Sequence, residues 1–198
     1  ISLAHNGILF LDELPEFSRQ SLEMLREPLE TGCITISRAN QTVTYPASFL
    51  LAAAMNPCPC GYATDNKVEC SCTSYTKQRY LKKISGPLLD RFDLIIEIQR
   101  LKKEDLCNTD SSKSSEDILP DILKCIKKQH IRYKTSTQNG CITPSQQKQF
   151  ISLSKSQNEL LAQLVESGRL TGRSYDKTIR VSRTIADLNQ SDKIEDEH

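Results

Sequence analysis

Two adjacent carboxylates, Asp12 and Glu13, close the apolar run Gly7-Ile8-Leu9-Phe10-Leu11. Consecutive apolar residues read as a central strand of a parallel sheet covered on both faces. In open α/β sheets, ligands bind beyond the carboxyl ends of such strands. An acidic pair there suits Mg²⁺ and an activated water beside the phosphates of a nucleoside triphosphate. Asp12 would hold the ion through water and Glu13 would polarise the attacking water. A strand end with helix-capping carboxylates gives the same residues. No G-x-x-x-x-G-K-[ST] phosphate loop occurs in the chain. The expectation is a part of a nucleotide hydrolase without its phosphate cradle.

Three more groups carry chemistry. Asn56 ends a second apolar run, Phe49-Leu50-Leu51-Ala52-Ala53-Ala54; its amide can accept from a water and donate to a terminal phosphate, and Asn-Pro is also a turn starter. In Ser85-Gly86-Pro87-Leu88-Leu89-Asp90-Arg91-Phe92-Asp93, a rigid turn presents Arg91. An arginine held this way can reach a neighbouring subunit's γ-phosphate, or it can pair with Asp90 and Asp93 at the surface. The pairs Cys58-x-Cys60 and Cys70-x-Cys72 flank nine residues. Four thiolates in two close pairs suit a tetrahedral Zn²⁺ site; two disulfides or four unrelated thiols are the other readings. His5 reads as a structural residue before the first strand.

The elements that must place these groups alternate. After the first strand, Ser18 caps a helix that turns Leu22, Leu25 and Leu29 to one face and stops at Thr31-Gly32. Ile34–Ile36 and Val43–Tyr45 form a hairpin. The strand at 49–54, a cysteine loop, a helix over 73–84, a turn at 88–91 and a third strand over Phe92–Ile98 complete the first part, the pattern of a parallel α/β sheet. Residues 102–116 are polar, with Ser-Ser-Lys-Ser-Ser, and read as a linker. Beyond them only helices are expected: one around Ile118, Ile122, Cys125 and Ile126; one opened by Thr143-Pro144; one with Leu160, Leu161, Leu164 and Val165, ended at Gly168; and one with Tyr175, Ile179, Ser182, Ile185 and Leu188.

Composition narrows the classes. The 198 residues start at Ile1 and stop in a charged stretch at His198, the look of a piece of a longer protein. With 26 basic and 25 acidic residues, net charge +1 gives no global pull toward nucleic acid, so any such contact must be local. No apolar run approaches the roughly 18 to 20 residues of a membrane span. Eight cysteines, four clustered and four scattered, do not form a secreted disulfide pattern and point to a reducing cytoplasm.

In order and spacing, these motifs resemble the AAA+ ATPases of the magnesium-chelatase group, nearest the ComM/YifB competence-protein branch. The resemblance rests on Ser2–Gly7, Phe10–Phe17, Arg26–Glu30, Ile36–Ala39, Ala53–Gly61 and Ser85–Asp93, and later on Gly172–Tyr175 and Arg180–Leu188. It implies an α/β fold: the C-terminal part of a P-loop parallel-sheet core over residues 1–99, a linker at 100–116 and an all-helical lid over 117–198. It further implies Asp12 and Glu13 as the Walker B pair, Asn56 as sensor 1, Arg91 as arginine finger and Arg173 as sensor 2, with Arg180 or Arg183 as substitutes. The hairpin would point into a ring's pore, where Arg38 could touch a phosphate backbone. The family's phosphate loop would precede residue 1, and its last helix would run past His198. ATP with Mg²⁺, a hexameric ring and DNA as partner follow from the resemblance, with no membrane. The implied activity is ATP-driven DNA remodelling of the helicase or branch-migration kind, in competence and recombination. The alternatives are a magnesium chelatase motor subunit and a truncated, non-hydrolysing zinc-binding module.

Overall fold

A computed structural model describes residues 1–38, 41–99 and 113–198, with the side chain of Arg38 outside the described part. The chain divides into two compact units, Ile1–Leu101 and Lys102–His198.

In the first unit, β1 (Ile8–Leu11) pairs in parallel with β4 (Leu50–Ala53), Leu11 lying opposite Ala53. Between them come α1 (Arg19–Glu23), α2 (Arg26–Thr31) and an antiparallel hairpin of β2 (Cys33–Arg38) and β3 (Gln41–Pro46). Ser18 caps α1 by accepting from the Ser21 amide, as expected. The single helix read over this stretch is instead two short ones. Pro28 has no N–H to give the Met24 carbonyl and its ring crowds that position, so the chain breaks at Met24–Leu25. Gly32 then ends α2 at φ 70°, its N–H on the Pro28 carbonyl. After the cysteine loop, α3 (Ser74–Leu81) starts at Thr73, and α4 (Gly86–Leu89) starts at Ser85.

Leu9, Leu11, Ala53, Phe49 and Phe92 pack on a core of Leu14, Leu22, Leu25, Ile84 and Leu88. This sets two corrections. The parallel pair is covered on one face only: Ile8, Phe10 and Leu50 on the other are 60–65% exposed. The third strand expected over Phe92–Ile98 is absent; these residues form no ladder, and Leu94, Ile95, Ile96 and Ile98 are exposed. A strand needs a neighbour for its N–H and C=O groups, and among the described residues none pairs with this run.

The second unit is helical among its described residues: α5 (Ser115–Tyr133), α6 (Pro144–Phe150), α7 (Lys155–Glu166) and α8 (Gly172–Leu188), with a 3₁₀ turn at Asn139–Cys141. Most of the expected linker lies outside the described residues; α5 starts at Ser115, inside it. Ser114, Thr143 and Ser154 each form a capping box, with Asp117, Gln146 and Gln157. Tyr133, Ile142, Ile151, Leu161, Ile179, Ala186 and Ile194 form the core. The buried residues of α8 are Ile179, Arg183, Ala186 and Asp187. The last helix does not run on: it stops at Leu188, and the tail folds back so that Ile194 is buried. No described helix is long and apolar enough to cross a membrane.

Candidate functional site

The parallel register brings three of the expected groups to one edge. β1 and β4 leave the sheet side by side, with the Ala54 N–H on the Leu11 carbonyl and the Leu14 N–H on the Ala54 carbonyl. Asp12 and Glu13 follow β1, Asn56 follows β4, and all three side chains are exposed. The Asp12 carboxylate accepts from the Glu13 N–H at 2.9 Å. Glu13 sits at φ 51°, ψ 49°, the left-handed region that a glutamate enters at a cost. That kink turns the chain sharply into Leu14 and Pro15, both buried, and leaves the two carboxylates at the rim. The donor set fits the acidic half of a Mg²⁺–nucleotide site: hard oxygen ligands plus a carboxylate to take a proton from water. The half that cradles phosphate has no counterpart in the sequence.

Tyr80 of α3 was not read from the sequence. Its ring is buried and its hydroxyl faces the Asn56 backbone. Burial pushes its phenol up, helped by the charges of Glu16 and Glu13. No spacing rule marks a lone helical tyrosine as a support for a residue 24 positions earlier.

The four loop cysteines converge. Cys58, Cys60, Cys70 and Cys72 have sulfurs that all lie within 4.8 Å of one another. The Cys58–Cys60, Cys58–Cys70 and Cys60–Cys70 separations are 3.3, 3.7 and 3.5 Å. All four are free thiols. The Tyr62 backbone N–H draws the Cys60 thiol down to about 5. The Cys60 backbone N–H pulls Cys72 the same way, but burial and the neighbouring sulfurs outweigh it and push Cys72 up to about 11. The cluster thus gives its first proton readily and holds its last, which a central cation would release. The group can hold a metal ion. His5 is no part of it; its Nδ1 accepts from the Ser48 N–H at 3.1 Å.

The arginines are placed differently. Arg91 keeps 8% of its side chain exposed, with Nε on the Arg26 carbonyl at 3.2 Å, Nη1 on the Pro87 carbonyl at 2.6 Å and an ion pair to Glu30. Glu30, 61 residues earlier, is a partner that the local sequence did not offer. Arg173 is exposed in the first turn of α8. Arg180 donates to the Gly140 carbonyl. Arg183 is buried and donates to the Asp192 and Ser191 carbonyls and to Asp187, which gives it a structural post. Arg38 ends β2 opposite Gln41.

A second feature went unread. Arg19, Arg79, Lys82 and Lys83, with Phe17 and Tyr75, line a cavity of about 560 Å³. Its signal was present as Tyr75-Thr76-Lys77-Gln78-Arg79-Tyr80-Leu81-Lys82-Lys83, cations interleaved with aromatics.

Comparison with known proteins adds the relationships. The profile of the family "Magnesium chelatase, subunit ChlI" matches residues 1–106. That of "Magnesium chelatase, subunit ChlI C-terminal" matches 112–198. The chain is 42% identical over its whole length to the uncharacterized protein YifB of Escherichia coli (strain K12). It is 41% identical, again over its whole length, to the competence protein ComM of Haemophilus influenzae. An uncharacterized protein of Mycobacterium tuberculosis is 37% identical over 95% of the chain. The chain spans 37–38% of the length of these curated relatives.

Proposed function

From its place in the magnesium chelatase ChlI family, to which the chain belongs, we propose that it is part of a ring-forming AAA+ ATPase that couples ATP hydrolysis to DNA remodelling. One observation carries this: the parallel pair sets Asp12, Glu13 and Asn56 at one carboxyl edge, with Glu13 held in a left-handed kink. In this reading Asp12 binds Mg²⁺ through water and Glu13 takes the proton of the attacking water. Asn56 orients that water against the γ-phosphate. Arg91 acts on the nucleotide of the next subunit of a hexamer, and Arg173 reaches the phosphates of its own. Residues 1–99 serve as the later part of the nucleotide-binding core and 117–198 as the lid, joined by 100–116. ATP and Mg²⁺ are the cofactors, with a structural Zn²⁺ in the cysteine loop.

DNA is favoured over a porphyrin-metallation partner by the groove of Arg19, Arg79, Lys82 and Lys83 with the exposed rings of Phe17 and Tyr75. Cations for phosphates and aromatic faces for bases are what a single strand takes. Arg38 in the hairpin adds a candidate phosphate contact. The test is ATP turnover by the full-length protein with and without single-stranded or branched DNA. Stimulation by DNA is expected. Turnover indifferent to every DNA, but raised by a porphyrin-binding partner, assigns the motor to metal insertion instead. No turnover under any condition leaves the cysteine loop as the functional part.

A further inference from the structure

We infer that the four-thiolate metal site of Cys58, Cys60, Cys70 and Cys72 positions Asn56 at the nucleotide edge, an inference that rests on the role proposed for Asn56. The geometry of the metal site comes first. A tetrahedral ion with metal–sulfur bonds of about 2.3 Å holds its sulfurs about 3.8 Å apart. The separations among the Cys58, Cys60 and Cys70 sulfurs, 3.3 to 3.7 Å, lie just inside that edge, and the Cys72 sulfur lies within 4.8 Å of all three. Four sulfurs and no open position make a closed, structural site, and thiolate softness selects zinc among the common divalent ions.

The loop needs such an ion. Between Ala53 of β4 and Ser74 of α3 there is no helix or strand, and Cys58 is the single fully buried residue. Besides a few turn hydrogen bonds, such as those of the Lys67 and Val68 N–H groups to Asp65, a loop of that length without apolar cover has little to offset its ordering entropy. A closed thiolate cage supplies folding energy directly.

The ends of the loop are what give the metal a second task. Cys58 lies two residues beyond Asn56, and Cys72 lies just before Thr73, the cap of α3. Closing the cage therefore ties the exit of β4 to the entry of α3. That helix carries Tyr80, whose hydroxyl faces the Asn56 backbone. Tyr62 and Asp65 of the same loop line a cavity of about 740 Å³ together with Leu14, Met55 and Asn56. Asn56 is exposed, so its own side chain contributes little to holding it; the backbone on either side of it must do so.

The experiment uses the full-length protein, purified without chelator. Elemental analysis should find one zinc per chain, absent from a Cys70→Ser/Cys72→Ser variant. Because that variant can misfold, wild-type protein is also stripped with a thiol-directed mercurial and restored with excess thiol and Zn²⁺. Stripping should lower turnover about tenfold to a hundredfold while ATP affinity changes little. Asn56→Ala should show the same split, and restoring zinc should recover the wild type. In the Asn56→Ala background, stripping should cost nothing more. Protein that binds no metal overturns the site. Zinc that can be removed without loss of turnover, while Asn56→Ala is slow, overturns the positioning. So does a further loss on stripping Asn56→Ala. A zinc-loaded protein that binds ATP but never hydrolyses it refutes the ATPase reading and the Asn56 role with it, while the zinc count still decides the site.

Discussion

At the residue scale, the two acidic motifs differ in what a sequence can show. Asp12 and Glu13 were legible because an apolar run ending in carboxylates has a meaning in any parallel sheet. The proposed role of Glu13 predicts that Glu13→Gln keeps ATP binding in the full-length protein and loses hydrolysis. Turnover within a few-fold of wild type would remove Glu13 as the catalytic carboxylate. Asp187 was not legible: it looked like one more charge on a helix with Arg180 and Arg183. In the fold it is fully buried, with Arg132 forked on it, Arg183 at 3.0 Å and the Asn139 amide at 3.0 Å. Tyr133 donates to the same Asn139 at 2.7 Å. Arg132 stands 55 residues earlier, a partnership that no local pattern reveals. Burial pushes the Asp187 carboxyl up, but Arg132, Asn139 and Arg183 outweigh it and hold it below the usual range. A carboxylate lowered on folding adds stability that is full above its unfolded value, about 3.9, and is lost as pH falls below that toward the folded value. The helical unit should therefore lose stability in acid from about pH 4 downward. Asp187→Asn should cost about 3 to 5 kcal/mol at neutral pH, because it leaves the buried Arg183 and the half-buried Arg132 without their counter-charge. Denaturant unfolding at pH 7 and at pH 3 checks both. A neutral-pH cost under about 1 kcal/mol would reduce the network to a surface-type ion pair.

At the element scale, caps and turns were the most readable features, because each rests on a local rule. Ser18, Thr143 and Gly32 all act where the sequence puts them. Local rules also failed in definable ways. The break at Met24–Leu25 follows from Pro28, yet leucine periodicity ran straight across it. The run Leu94-Ile95-Ile96 has the composition of a strand, but composition supplies no neighbour. On α8 a buried Arg183–Asp187 pair takes positions that apolar periodicity alone assigns to the surface. Two glycines give opposed predictions from these rules. Gly32 sits at φ +70°, where a side chain finds room beside the Ser48 Cβ at 3.7 Å but not a relaxed backbone. Gly32→Ala should destabilise by about 1 to 2 kcal/mol. Gly172 opens α8 with no positive φ and nothing within 4 Å of an added Cβ. Gly172→Ala should stabilise by about 0.5 to 1 kcal/mol. Urea midpoints measure both, and equal signs would mean that backbone strain is not what distinguishes them.

At the scale of the whole molecule, charge and cover decide what these 198 residues can do by themselves. The apolar runs announced strands, but not which of their faces would be covered, since that depends on what packs against them. Ile8, Phe10 and Leu50 lie open on one sheet face, and Leu94, Ile95, Ile96 and Ile98 are open as well. The same separation holds for the site. A triphosphate is bound by backbone N–H groups and cations around its oxygens, with a metal ion between it and any carboxylate. Here the carboxyl edge offers Asp12 and Glu13, two negative charges that repel the nucleotide unless Mg²⁺ lies between them, and the sequence holds no phosphate loop to add the rest. The 198-residue chain should therefore bind Mg²⁺–ATP no more tightly than about 1 mM, a free energy near −4 kcal/mol, whereas the full-length protein should bind it well. Calorimetric titration of both decides the matter. Micromolar binding by the short chain would mean that phosphate is held elsewhere, first of all by Arg19, Arg79, Lys82 and Lys83 around their cavity. Asp12→Asn then discriminates: Mg²⁺-dependent binding at the acidic edge should weaken with loss of the carboxylate that holds the ion, and binding in the cationic groove should not. If affinity follows the groove, the carboxylates lose their catalytic assignment, and the groove becomes a nucleotide site rather than a DNA contact.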